Sequence, residues 1–245
     1  MRNVSCETYE VGVRHENITR KKGENGESIQ YFLFSDDASR INLPEEANCL
    51  DISHCAVREL NVPGHVYMVS AWLNKNLEKV TIADSNNDIG FTDVYVSDNN
   101  LKELNLGKGT RIAAFSDNQL ESIELPEGCE IVKAKNNKFK ELNLPESCKY
   151  VDVSYNKNME KLDVPEGCQY VIMNYTSIKE THIPKGCVHF DCTGTRLDME
   201  KSTIHPEFKG KFDGLEAGQI KRLQDNYNKT PPAPFMKKLR DGGNG

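Results

Sequence analysis

A period close to twenty residues runs through most of this chain, and any fold it adopts has to respect that period. Prolines or their stand-ins recur at Pro44, Pro63, Ala83, Gly107, Pro126, Pro145, Pro165 and Pro184, in steps of 19, 20, 24, 19, 19, 20 and 19 residues. Residues 142–168, LNLPESCKYVDVSYNKNMEKLDVPEGC, hold one complete unit and the start of the next. Eleven residues after each start stands Cys55, Asn74, Asn118, Asn137, Asn156, Thr176 or Thr195, and the long third unit supplies Asn99 after an insertion of five residues around Ser85 to Asp93. These are side chains that bond to backbone at a tight turn. Just before them lie apolar pairs with period-2 alternation: Leu50/Ile52, Val69/Ala71, Val94/Val96, Ala113/Phe115, Val132/Ala134, Val151/Val153, Val171/Met173 and Phe190/Cys192. The pattern predicts eight short strands, each followed by one polar turn residue and then an apolar one.

With these residues in view, the pattern resembles a leucine-rich repeat, x-V-x-V-S-x-N-x-L standing where that family has L-x-x-L-x-L-x-x-N-x-L. The LPExC layout is most similar to the short, proline-containing repeats of bacterial effector proteins, some of which carry a separate ubiquitin-ligase domain. The family's Leu three residues after the proline is replaced here by Cys129, Cys148, Cys168 and Cys187. The resemblance covers residues 31–197 and implies an α/β-type solenoid, mostly β, with short parallel strands on the concave face and an extended or turn-rich convex side. It implies a scaffold that binds protein, in the manner of an effector acting on a host protein. The alternative is a recognition arm for an enzyme such as a ubiquitin ligase whose catalytic part is on another chain, since no counterpart of the ligase domain follows the repeats.

Each unit alone cannot bury its apolar face, so stacking has to join the faces into one core with caps at the ends. Tyr31 to Leu43 reads as a degraded first coil in which Phe32 and Phe34 replace the valine pair and Asp37 sits near the Asn position. Residues 1–30 read as a polar, flexible segment without the apolar stretch of a cleaved signal. Residues 198–245 read as a cap with a helix near Asp213 to Tyr227, then a Pro/Gly-rich tail. No apolar run approaches the ~18 residues of a membrane span, so the expected location is the cytoplasm, or a host cell reached without a cleaved signal.

The cysteines follow the repeat, which explains them as free, buried thiols better than as bridges or zinc ligands. Cys49 is expected at an exposed strand position. His54, His65, His182, His189 and His205 form no metal-ligating pair, and the chain has no GxGxxG, GxxxxGK[ST] or GxSxG. No catalytic residue, metal site or cofactor is expected.

Alternation places the residues five and seven after each proline on the concave face. Five after come Cys49, Met68, Ile112, Ile131, Tyr150, Tyr170 and His189, with Asp93 in the long unit; seven after come Asp51, Ser70, Tyr95, Ala114, Lys133, Asp152, Ile172 and Asp191. Tyrosine and isoleucine suit strands for bland reasons, but aligned over several coils they form a contiguous patch of the kind that marks an interface. The expected partner site is Tyr150, Tyr155, Tyr170, Ile172 and Tyr175, with Asp152 and Asp191 for charge complementarity. The whole chain carries a formal charge of −6, and because residues 1–30 are balanced and residues 198–245 carry +2, the solenoid carries −8. Such a surface repels phosphate backbones, so the expected partner is a protein and not a nucleic acid.

Overall fold

The structure, a computed structural model, describes residues 15–23, 26–34, 41 and 43–229. Asp37, Cys6 and the Pro/Gly-rich tail lie outside the described residues. In chain order the strands are β1 (His15–Gly23), β2 (Gly26–Phe34), β3 (Cys49–Ser53), β4 (Glu59–Val62), β5 (Met68–Trp72), β6 (Lys79–Ile82), β7 (Thr92–Tyr95), β8 (Glu103–Asn105) and β9 (Thr110–Ala114). They continue as β10 (Ile131–Lys133), β11 (Glu141–Asn143), β12 (Tyr150–Asp152), β13 (Lys161–Asp163), β14 (Tyr170–Ile172), β15 (His182–Ile183), β16 (His189–Asp191), β17 (Thr203–Ile204) and β18 (Lys211–Asp213), followed by helix α1 (Ala217–Lys229).

Successive coils each give one strand to an eleven-stranded sheet, in the order β1-β2-β3-β5-β7-β9-β10-β12-β14-β16-β18. All neighbours are parallel except β1 and β2. The opposite side of the solenoid is turn-rich, with smaller parallel sheets β4-β6-β8, β11-β13 and β15-β17. The register matches the repeat: Val132 pairs with Ala113 on one side and Val151 on the other. All sixteen residues of the eight inward pairs are 0–1% exposed, so they stack into one core between the two sides.

Side chains from one repeat position tie each coil to the one before. The amide of Asn118 donates to the Val96 carbonyl of the preceding coil at 3.0 Å and accepts from Leu101 N–H at 3.0 Å. Asn137 donates to Phe115 O and accepts from Leu120 N–H; Asn156 donates to Ala134 O and accepts from Asn137 N–H. The proline position works locally. Its carbonyl accepts the N–H three residues on, which in the later coils belongs to Cys129, Cys148, Cys168 and Cys187. Each of those thiols donates to the carbonyl two residues further, at 3.2–3.7 Å, a bond that leucine cannot make.

All seven described cysteines are free and buried. Cys49, expected at an exposed position, is 2% exposed, covered between β2 and β5. Burial, and then the neighbouring Cys148 thiol, pushes Cys129 up to about 12. Burial pushes Cys187 up to about 11 and Cys192 up to about 12, and the Cys168 thiol bonded to Cys148 raises Cys148 as well.

The two ends depart from the repeat reading. At the N-terminal end the inward pair is Tyr31 and Leu33, 1% and 0% exposed, not Phe32 and Phe34. The run Tyr-Phe-Leu-Phe is apolar at both parities, so pairing with the next coil decides the register, and Tyr31 lies opposite Leu50 and Leu33 opposite Ile52. The polar stretch before residue 31 supplies most of a hairpin: β1 pairs antiparallel with β2 and forms the sheet edge, where the exposed Arg20 is the kind of residue that blunts edge-to-edge association. At the other end the solenoid runs one coil past Leu197, with β17 beside β15 on one side and β18 ending the large sheet on the other, Phe212 opposite Phe190. Helix α1 begins after Glu216, whose N–H donates to the Gln219 side chain, and buries Leu223 against this coil, while Asn226 Nδ2 donates to Met199 O at 2.8 Å.

Two outcomes test this packing. Asn118→Ala or Asn137→Ala leaves buried backbone groups unpaired and should each cost about 1–3 kcal/mol in urea unfolding; unchanged midpoints for both would contradict the ladder. In a Cys6→Ser background at about pH 8, where an exposed thiol is partly ionised, native protein should resist alkylation by iodoacetamide and unfolded protein should take up seven equivalents.

Candidate functional site

Alternation along β12, β14 and β16 turns one set of side chains away from the core. Tyr150, Tyr170 and His189 lie in one row across the three strands, and Asp152, Ile172 and Asp191 in the next. The rings of Tyr150 and Tyr170 sit 6.0 Å apart at 34°. Burial, and then the charge of Asp152, raises the Tyr150 phenol.

Where the strands end, the chain makes a one-residue reversal. The residue before each ladder position has a positive φ: His54, Leu73, Asp98, Asp117, Asn136, Tyr155 and Tyr175, between 51° and 62°, then Gly194 at 73°. At two consecutive coils this residue is a tyrosine, and the rings of Tyr155 and Tyr175 stack at 5.0 Å and 26° with 41% and 48% exposure. The Lys135 ammonium lies 5.3 Å from the Tyr155 ring centroid. Gly194 is required twice over: it takes the positive φ, and a Cβ there would sit 2.4 Å from Cδ1 of Tyr175.

The seven residues expected at the site therefore share one surface, as two tyrosine pairs flanking a row of Asp152, Ile172 and Asp191. The two carboxylates are not equivalent. Asp191 Oδ1 accepts from Thr193 N–H and Oγ1, and Oδ2 accepts from Asn174 Nδ2 at 2.8 Å. Burial favours its neutral form, yet these bonds outweigh burial and hold the carboxyl below its usual range. Asp191 is thus engaged in shaping the turn. Asp152 Oδ1 accepts from Ser154 N–H at 2.9 Å, and Oδ2 has no hydrogen-bond partner among the described residues.

Other positions expected on this face are covered. Asp93 is 9% exposed because Arg111 grips it through two bonds, at 3.0 and 2.6 Å, while its guanidinium lies 3.7 Å over the Phe91 ring. Ala114 is 5% exposed. Trp72, absent from the expected site, is 45% exposed at the end of β5, with His54 against its ring at 6.1 Å. The turn column was also legible in principle, since Asp98, Asp117, Asn136 and Gly194 are residue types that tolerate left-handed backbone and share one repeat position.

Fold and site together define a leucine-rich-repeat-like β-solenoid with an aromatic strip on its exposed sheet face and turn edge. No family model matches the chain, and no curated protein matches it. Four chains of solved structures match. One, YopM from Yersinia enterocolitica WA-314, is 15% identical with a TM-score of 0.37, over 69% of this chain and 47% of that one. This chain spans about half the length of that protein, and at that score the architecture rests on the strand pairing alone. Among the described residues no helix is long and apolar enough to cross a membrane, and no group of three His, Cys, Asp or Glu is placed to hold a metal.

Left-handed backbone costs a bulky residue about 1–2 kcal/mol, whereas asparagine adopts it readily. Replacing both Tyr155 and Tyr175 with Asn removes that cost twice and one ring stack of about 0.5–1.5 kcal/mol once. The double variant should therefore unfold at higher urea concentration than the parent; a lower midpoint would show that the rings are held for stability.

Proposed function

We propose that the chain is a non-enzymatic scaffold that holds a partner protein on the exposed face of its sheet, through Tyr150, Tyr155, Tyr170, Ile172 and Tyr175, with Asp152 and Asp191 completing the polarity of the patch. The observation that carries the reading is the pair of tyrosine ladders. Three of the four rings are more than 40% exposed; one pair is in register on the sheet and the other is stacked at the turns that end its strands. Tyrosine offers large, stiff, amphipathic contact area, which is why it concentrates at the centres of interfaces.

Asp152 offers one open carboxylate oxygen to a donor or cation, while Asp191 orders the turn beside it. The resemblance of the repeat to those of bacterial effectors supports a role on a host protein, in the cytoplasm of the source cell or of a host cell.

Affinity capture from source-cell and host-cell lysates, with the parent chain and the Tyr150→Ala/Tyr170→Ala variant side by side, tests the reading. A partner should be retained by the parent and reduced about tenfold or more by the variant. A partner retained equally by both would remove this site.

A further inference from the structure

The column of left-handed residues separates the turn edge into stretches of different cost. Asp98, Asp117 and Asn136 in the middle adopt a positive φ readily; Leu73 before them and Tyr155 and Tyr175 after them do not. Strain of this kind persists where function requires a particular side chain. Exposed aromatics lie in or beside the same costly stretches: of six large hydrophobic side chains exposed among the described residues, three are Tyr155, Tyr175 and the nearby Tyr170 of β14, and a fourth is Trp72, the chain's only tryptophan. Trp72 stands where other coils have Ser53, Ser97, Ser116 or Ser154, with His54 edge-on to its ring and Leu73 next in the chain. The Trp72 side chain also reaches the half-buried Asp51 carboxylate and favours the charged form there, yet 45% of the residue stays exposed.

We infer that His54, Trp72 and Leu73 form a second anchor for the same partner, which enters as an extended basic segment running along the turn edge from Trp72 to the stacked tyrosines. This rests on the binding role given above to the tyrosine patch. From β5 to β12 the sheet order is four steps, about 19 Å at the strand spacing, and an extended chain covers that in about six residues. The edge presents one such side chain per coil, a strip narrower than the ~10–12 Å of a helix. Its middle supplies the charge: Asp98 is exposed and Asp117 half-buried, while Lys133 and Lys135 reverse the sign one coil further on. A basic residue therefore belongs about two positions from the apolar residue that meets Trp72, and this asymmetry fixes the direction in which the segment lies.

The probe is a capped nine-residue peptide with Leu at the second and eighth positions, Arg at the fourth and Ser elsewhere, titrated into the full chain by calorimetry and by emission of the single tryptophan. Binding should shift the Trp72 emission. Moving the eighth-position Leu to the fifth, exchanging the peptide's Arg for Glu, and the chain variants Trp72→Ala and Tyr155→Ala/Tyr175→Ala should each weaken binding about tenfold; circular dichroism checks that both chain variants remain folded. Weakening by the tyrosine variant but not by Trp72→Ala would overturn the second anchor and leave the tyrosine patch standing. Insensitivity to both variants, or no binding of the parent peptide, would overturn the inference, and insensitivity to both would count against the patch as well. Helical signal in the bound peptide, or indifference to the Leu spacing, would overturn the extended mode.

Discussion

The solenoid depends on one interaction, the side-chain amide that reaches back to a carbonyl of the preceding coil. Each strand of the large sheet is only three to five residues long from β3 onward, so the backbone leaves the ladder almost at once. The second inward residue of each coil then turns its carbonyl toward the core. An unpaired group there would be costly, and water has no access. Asn74, Asn99, Asn118, Asn137 and Asn156 answer it in turn, donating to Ile52, Ala71, Val96, Phe115 and Ala134. Stability thereby becomes a nearest-neighbour property, as expected of stacked repeats. In the last coils Thr176 and Thr195 both donate to the single carbonyl of Met173, a shorter and poorer stitch, close to where helix α1 takes over the closing of the stack.

That ladder imposes the turn. To bring the amide inward directly after an outward-facing strand residue, the chain reverses in a single residue, and the only backbone available is left-handed. Asp, Asn and Gly meet this requirement with little strain. The positions occupied by Tyr155, Tyr175 and Leu73 meet it against their preference. The binding edge proposed here and the integrity of the core are thus linked: the ring-bearing residues are followed directly by Asn156 and Thr176, which are hydrogen-bonded into the core.

The period, the parallel sheet, the inward pairs, the ladder and the burial of the four thiols at one repeat position were legible in the sequence, because one physical requirement repeats and each copy reports the same position; Cys49, expected to be exposed, was not among them. Legibility failed where the copies run out. Tyr31 and Leu33 took the inward places because the run Tyr-Phe-Leu-Phe carries no polar parity signal and only the pairing with Leu50 and Ile52 could choose. The coil ending in β18 was missed because its proline, Pro206, falls 22 residues after Pro184 and its strand holds only one inward residue, Phe212, in the expected place. Asp93 is covered on the outer face because Arg111, remote by 18 residues, supplies its counter-charge. At the site, the tyrosine rows followed from alternation, whereas the left-handed column and the exposure of Trp72 depend on backbone angles that a period-2 argument does not contain.

The proposed binding surface includes strained turn residues, which bears on affinity. Flexible surface side chains lose rotamer freedom when a partner immobilises them. Tyr155 and Tyr175 have little of it left, since each ring is stacked on the other, Lys135 lies over one and Gly194 leaves room for the second. The free protein already bears the cost of ordering them, as backbone strain and as packing, so contact with a partner adds area without a matching loss of entropy. The same reasoning sets Asp191 apart from Asp152. A carboxylate whose two oxygens are occupied within the fold orients its neighbours, and one with an open oxygen remains available to meet a donor from outside.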